Sequence, residues 1–168
     1  MSYKIPYKDT QYFSRFILDY LDENDKIRPF INHFPKIKNF RKQIAEREDK
    51  NVDRDILIKS LERQNNFLSL SKKTKENICL LEKNTSFTVT TGHQLCLFTG
   101  PLYFIYKIIS TINLCEQLNK SFPANKFIPV FWLASEDHDL KEINHIHLFN
   151  KKIVWDTKQN GPVGKMTL

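Results

Sequence analysis

The chain has 168 residues, 40% of them hydrophobic and 12% aromatic, with only four glycines. That excludes collagen-like, linker and wholly disordered chains, and predicts one domain or one domain plus a short accessory region. The net charge of +7 is spread out: residues 1–84 hold 18 basic and 13 acidic side chains, residues 85–168 hold 8 and 6, so a solvated mixed-sign surface is expected and not a nucleic-acid footprint.

Residues 8–82 carry helical periodicity. Thr10 is a candidate cap for a helix with Phe13, Phe16, Ile17, Tyr20 and Leu21 near 3.6-residue spacing. Asn24 or Asp25 opens a second, ending before Pro35, with Ile27, Phe30, Ile31 and Phe34 inward. Lys38 to Arg47, Asp53 to Leu70 and Thr74 to Leu81 are a third, fourth and fifth, the last with Ile78 and Leu81 facing in. This half offers packing and no chemistry.

The composition changes near residue 84, which divides the chain into a helical region, 1–84, and an α/β region, 85–168. Ser86 to Thr91 is a short β-branched strand followed by a Gly92 turn signal and a loop to Phe98. Thr99-Gly100-Pro101 opens a helix to about Asn119, with Leu102, Ile105, Tyr106, Ile109, Ile112 and Leu114 mostly buried. Phe127 to Ala134 is apolar on both faces, as in a central parallel strand covered above and below, with Pro129 near its start. Strand, helix, strand makes a right-handed βαβ unit. His145–Phe149 and Lys152–Asp156 are two further strands around an Asn150-Lys151 turn.

In such a sheet ligands sit beyond the carboxyl ends of the strands. Two polar clusters fall there: Thr90-Thr91-Gly92-His93-Gln94 and Ser135-Glu136-Asp137-His138-Asp139. If the strands are neighbours, both face one crevice, together with the positive end of the helix starting at Gly100, which suits phosphate. Gly92 and Gly100 would let backbone approach a ligand; the alternative for Gly92 is a tight turn alone. His93 can donate to a phosphoryl oxygen or act as a general acid. Asp137 and Asp139 can hold Mg²⁺ or a substrate ammonium, and Asp137 or Ser135 can instead cap a helix. Neither a P-loop nor a G-x-G-x-x-G fingerprint occurs. His145 and His147 share a strand face, but no H-E-x-x-H or paired cysteine spacing accompanies them, so no metal site is assigned. Cys96, between Leu95 and Leu97, sits in an apolar setting that keeps a thiol inert. Cys79, Cys96 and Cys115 form no disulfide pattern. No secretory core follows Met1, and Leu95 to Cys115 is broken by Gly100-Pro101 and Lys107. A cytoplasmic protein without membrane or nucleic-acid partners is expected.

Thr91-Gly92-His93-Gln94-Leu95-Cys96-Leu97-Phe98-Thr99-Gly100-Pro101-Leu102-Tyr103 with Ile105-Tyr106-Lys107, and Pro129 to Asp139 with Glu142-Ile143-Asn144-His145, resemble two signatures of the bacillithiol biosynthesis cysteine-adding enzymes, the BshC family. Tyr7 to Thr10, Phe13 to Tyr20 and Gly161 to Met166 resemble it too. The resemblance implies a Rossmann-like core similar to class I nucleotidyltransferases, and a ligase that joins cysteine to glucosaminyl malate. ATP is the expected activator, with Mg²⁺ as an accompanying ion. Thr91, Gly92, His93, Gln94 and Gly100 would line the phosphate end, and Tyr103, Glu136, Asp137 and Asn144 would contact substrate. His93, Asp137 and His138 are the candidate catalytic residues. No H-x-G-H is present. Members of that family are longer, with a homodimer open to the full-length enzymes. The chain is therefore expected to be an N-terminal fragment with little ligase activity of its own. The alternative expectation is a non-catalytic nucleotide-binding or structural piece of a Rossmann-like protein.

Overall fold

The computed structural model describes residues 3–48 and 52–167; Met1 and Ser2 of the opening segment lie outside them. The chain forms two compact units, Met1–Lys50 and Asn51–Leu168.

In the first unit a 3-10 turn, Tyr7–Thr10, precedes helix α1, Arg15–Leu21. Ser14 caps α1 by accepting from the Ile17 N–H, in place of the expected Thr10, whose hydroxyl instead donates to the Tyr7 carbonyl at 2.7 Å. Both are good cap residues, and the turn before α1 consumes the first. Asn24 caps the next segment, but it is a 3-10 stretch, Asp25–Phe30, not a full helix. Pro29 lies within it, and Ile31 is extended. Ile27 and Phe34 are buried, whereas Phe30 is exposed. Helix α2, Phe40–Glu48, follows a 3-10 turn at Ile37–Asn39 and buries Ile44.

In the second unit Asp53 caps helix α3, Arg54–Asn65. It stops five residues short of the expected Leu70, and Phe67 and Leu68 beyond its end are exposed. Ser71 caps α4, Lys72–Leu80, which starts two residues before the expected Thr74. Arg54 ties these helices to the start of the sheet, donating to the carbonyls of Leu81 at 2.7 Å and Ser86 at 3.2 Å.

The sheet is a parallel pair. β1, Ser86–His93, lies beside β2, Lys126–Leu133, in a register running from Ser86 opposite Lys126 to His93 opposite Leu133. Between them runs α5, Leu102–Ser121, the crossover that a parallel pair requires. The fold is α/β with a partial Rossmann-like core. Thr111, Cys115 and Leu118 turn towards the strands at helical spacing, and Leu118 is completely buried. Asn119 clamps the start of β2: its amide donates to the Phe127 carbonyl and its oxygen accepts the Phe127 N–H, both at 3.0 Å. Phe87 and Phe127, paired in the register, stack with centroids 5.9 Å apart.

Four expectations about α5 and β2 are corrected. The helix begins at Leu102, two residues after Gly100, since Pro101 is extended and serves as its cap position. Its apolar residues Leu102, Ile105, Tyr106, Ile109 and Ile112 are exposed, not mostly buried, because the strands cover only the Thr111–Leu118 side. β2 is likewise not covered as a central strand: among the described residues it pairs only with β1, and Trp132 and Leu133 are exposed. Pro129 sits opposite Val89 in mid-strand, a position that a strand with one hydrogen-bonded neighbour tolerates.

After β2 come α6, Leu140–Ile143, and an antiparallel hairpin, β3, His145–Leu148, with β4, Lys151–Val154. Its turn is Phe149-Asn150, one residue earlier than expected, both in the left-handed region at φ 47° and 61°. Asn tolerates that region readily, and such two-residue turns match the strand twist. No helix among the described residues is long and apolar enough to cross a membrane.

Candidate functional site

β1 ends on His93 and β2 ends one residue before Ala134, whose N–H donates to the His93 carbonyl at 3.0 Å. The ladder therefore delivers the two polar segments side by side at the carboxyl ends of the strands. They are joined by the Gln94 side chain. Gln94 is 2% exposed, and its amide nitrogen donates to the Asp139 carbonyl at 3.2 Å and to the Glu142 carboxylate. Its Oε1 is buried with no hydrogen-bond partner.

Around this bridge lies a cluster from three elements. His93 Nε2 is 2.5 Å from the Tyr103 hydroxyl in the first turn of α5, and 3.3 Å from Glu142 Oε1 in α6. Tyr103 donates to Glu142 Oε1 at 2.8 Å. His93 Nδ1 lies 3.0 Å from the Gln94 carbonyl oxygen and 3.3 Å from Cys96 Sγ. Phe104 covers the His93 ring edge-on, with centroids 5.9 Å apart. Lys107, one turn along α5, donates to the Gly92 carbonyl at 3.1 Å and sits over the Tyr103 ring.

The electrostatics follow from these contacts. Hydrogen bonds from Tyr103 and then Gln94 hold the Glu142 carboxyl below its usual range. Burial, reinforced by the Glu142 hydrogen bond, pushes the Tyr103 hydroxyl up to about 12, so it keeps its proton. Burial also pushes the Cys96 thiol up, with Glu142 acting in the same direction and Lys107 opposing it. A protonated, weakly nucleophilic thiol results.

The second segment is arranged differently. Asp137 Oδ1 accepts the N–H groups of His138 at 2.7 Å and Asp139 at 3.3 Å. The cap of α6 is Asp139, accepting from the Glu142 N–H, so the alternative of Asp137 or Ser135 as the cap does not hold. Asp137 is instead occupied by the turn just before it. Glu136 accepts from the Trp132 indole at 3.1 Å, and His138 is exposed. Asn144 donates to the Trp155 carbonyl at 3.3 Å and accepts the Trp155 N–H on its own carbonyl, so it fastens the hairpin. The Gly161–Met166 tail straps this loop: Val163 N–H donates to the Asp137 carbonyl at 2.7 Å and Gly164 N–H to the Ser135 carbonyl at 2.9 Å. A Cβ on Gly164 would lie 2.6 Å from that of Ser135.

Space beside the two candidate ligand-approach glycines is taken by the protein. A Cβ on Gly92 would lie 2.7 Å from the Trp132 carbonyl oxygen, and one on Gly100 (φ 65°) would lie 2.6 Å from the Cys96 Cβ. The structure thus brings together His93, Gln94, Tyr103 and the backbone of Asp139. It leaves Glu136 and His138 exposed and Asp137 half-buried on the loop, and Asn144 between α6 and the hairpin. Thr91 lines an apolar cavity of about 730 Å³ bounded by α3, α4, α5 and β2, away from this cluster. Glu142, which joins the cluster, and Lys107 were not singled out in the sequence. Both lie within the quoted signatures, the only signal available for them. His145 and His147 do share a strand face, with ring centroids 5.5 Å apart. Among the described residues no three His, Cys, Asp or Glu side chains converge as metal ligands.

The Lys107 ammonium and the N–H groups of the first turn of α5 are the groups near the strand ends that could hold a phosphate, with the Glu142 carboxylate in the same cluster.

Residues 1–168 match the family described as "Bacillithiol biosynthesis BshC, N-terminal Rossmann-like domain". Similar proteins carry the name "Putative cysteine ligase BshC". One from Flavobacterium psychrophilum is 48% identical over 97% of this chain and 31% of its own length. One from Flavobacterium johnsoniae is also 48% identical, with the same coverage. One from Bacillus cereus is 34% identical over 82% of this chain and 26% of its own length. The chain spans 31% of the length of the first two.

Proposed function

The chain belongs to the BshC family, and from that premise we propose that it supplies one wall of the site of a cysteine-adding ligase of bacillithiol biosynthesis. The reaction is carbon–nitrogen bond formation between cysteine and glucosaminyl malate. The observation that carries the reading is the meeting of the two signature segments: Gln94 reaches from the end of β1 to the Asp139 carbonyl and Glu142 beyond β2. Two separate sequence signatures thereby become one polar surface where a parallel sheet places its ligands.

Bound ATP, with Mg²⁺ as counter-ion, would supply the activation of a substrate carboxylate. The residues of this chain bind and orient. Lys107 offers a positive charge at the mouth of the cluster. His93 and Tyr103 hold protons within hydrogen-bond reach of one another and of Glu142, a geometry suited to general acid–base work. Asp137, half-buried beside them, accepts backbone N–H groups of its own turn through Oδ1, and we assign its carboxylate to the ion or to a substrate ammonium. The free thiols Cys79, Cys96 and Cys115 suit a reducing cytoplasm.

Calorimetric titration of the 168-residue chain with ATP and Mg²⁺ tests the reading. Saturable binding is expected, weakened tenfold or more by His93→Ala and by Asp137→Ala while circular dichroism stays unchanged. Absence of binding, or both variants binding like the parent, would overturn it. Incubation with ATP, cysteine and glucosaminyl malate, read by mass spectrometry, should yield little bacillithiol from this chain alone.

A further inference from the structure

We propose that Glu142 is the positioning residue of this site: through Tyr103 it holds the ring proton of His93 on Nε2 and leaves Nδ1 facing the Cys96 thiol. The proposal rests on the reading of His93 as the proton-handling group and deepens it.

The available protons fix the arrangement. Tyr103 has one, and its oxygen lies 2.8 Å from Glu142 Oε1 and 2.5 Å from His93 Nε2. A carboxylate is the stronger acceptor, so the phenolic proton goes to Glu142. The phenol oxygen then faces His93 as an acceptor, and the contact is attractive only with the ring proton on Nε2. Glu142 Oε1, 3.3 Å from Nε2, favours the same placement. On the far side of the ring, Nδ1 then accepts the Cys96 S–H across 3.3 Å, while also facing the Gln94 carbonyl oxygen at 3.0 Å. The competing arrangement puts the proton on Nδ1, where the Gln94 carbonyl oxygen stands 3.0 Å away. That would leave Tyr103 with a single proton between two acceptors, one of them charged.

The other carboxylate oxygen of Glu142 fixes Gln94. Both neighbours of the Gln94 amide nitrogen, Glu142 Oε2 and the Asp139 carbonyl, are acceptors, so the amide has one satisfactory orientation. One exposed carboxylate on a short helix thereby sets the orientation of a glutamine, a tyrosine and a histidine brought by the end of β1 and the start of α5. Nothing in local sequence links Glu142 to them: 48 residues separate it from Gln94 and 39 from Tyr103.

Long-range ¹H–¹⁵N correlation of the histidine rings reads the tautomer directly, in the 168-residue chain at alkaline pH with the rings neutral. His93→Ala identifies the signal. The parent should show His93 as the Nε2–H form. Glu142→Gln keeps the size of the side chain but removes the charged acceptor, and it should move His93 towards Nδ1–H. Tyr103→Phe should do the same with Glu142 intact, which covers the case in which Glu142→Gln does not fold. Glu142→Asp, keeping the charge, should restore much of the Nε2–H form. The His145 and His147 signals should stay in place throughout. A parent already in the Nδ1–H form, or a His93 signature unmoved by both Glu142→Gln and Tyr103→Phe, would overturn the proposal. The measurement uses no substrate, so its failure leaves ATP binding standing. Loss of the ligase reading with the tautomer shift intact would leave the role of Glu142 in place.

Discussion

The two strand ends solve the same problem in opposite ways. At the end of β1 the polar side chains turn inward: His93 and Gln94 are nearly inaccessible and bond to groups from α5 and α6. Beyond β2 the polar side chains are more open, with Glu136, His138 and Asp139 exposed and Asp137 half-buried, and Asp137 and Asp139 bond chiefly to the backbone N–H groups of their own turn. The first segment is a scaffold with chemistry built into it, whereas the second presents chemistry on a loop held from behind by Val163 and Gly164. Substitutions in the first should therefore cost stability and orientation together, and those in the second should separate the two.

The largest effect is expected at Gly92. A Cβ there meets the Trp132 carbonyl oxygen and Cβ, at 2.7 and 3.0 Å, and neither can step aside without moving β2. Gly92→Ala should lower unfolding free energy by about 3 kcal/mol in a denaturant titration, the upper end for overpacking. Gln94→Ala comes next, at roughly 1.5–2 kcal/mol, because it removes a hydrogen bond to a carboxylate from the interior. Glu142 gives a smaller, pH-dependent effect. Its folded pKa lies below the ordinary 4.5, so the stability it contributes is present above that pH and is lost as pH falls through the lower folded value. The stability difference between the parent and Glu142→Gln should accordingly shrink on acidification; a difference that grows would contradict the assigned contacts. Glu136→Ala should have the smallest effect. It loses one solvent-facing bond to Trp132 and should leave the melting temperature within experimental scatter. A large loss there would erase the contrast between the two ends.

Much of this arrangement was readable before any coordinates. The β-branched run before Gly92, the continuous apolarity of Phe127 to Leu133 and the helix between them lead to a parallel pair with its polar clusters at one end, and the family resemblance rests on those segments. Four kinds of feature were not readable. Caps were misplaced where two suitable residues compete, as with Thr10 and Ser14 or Asp137 and Asp139, since the choice depends on which turn forms first outside the helix. The apolar stripe of α5 signals burial by its spacing, yet burial also needs a covering element, and along Leu102 to Ile112 the strands lie on the other side. The role of Glu142 depends on contacts across 39 and 48 residues that no local pattern encodes. The turn at Phe149-Asn150 was missed by one residue because Phe rarely adopts a left-handed backbone.

A double-mutant cycle on Gln94 and Glu142 tests most directly whether the two strand ends form one site. Unfolding free energies of the parent, Gln94→Ala, Glu142→Ala and the double variant give the coupling between the segments. A coupling of about 1 kcal/mol is predicted, as for residues in one hydrogen-bond network. Additive losses, with coupling under about 0.3 kcal/mol, would mean that the end of β1 and the segment beyond β2 are energetically independent, and the shared site would fall with them.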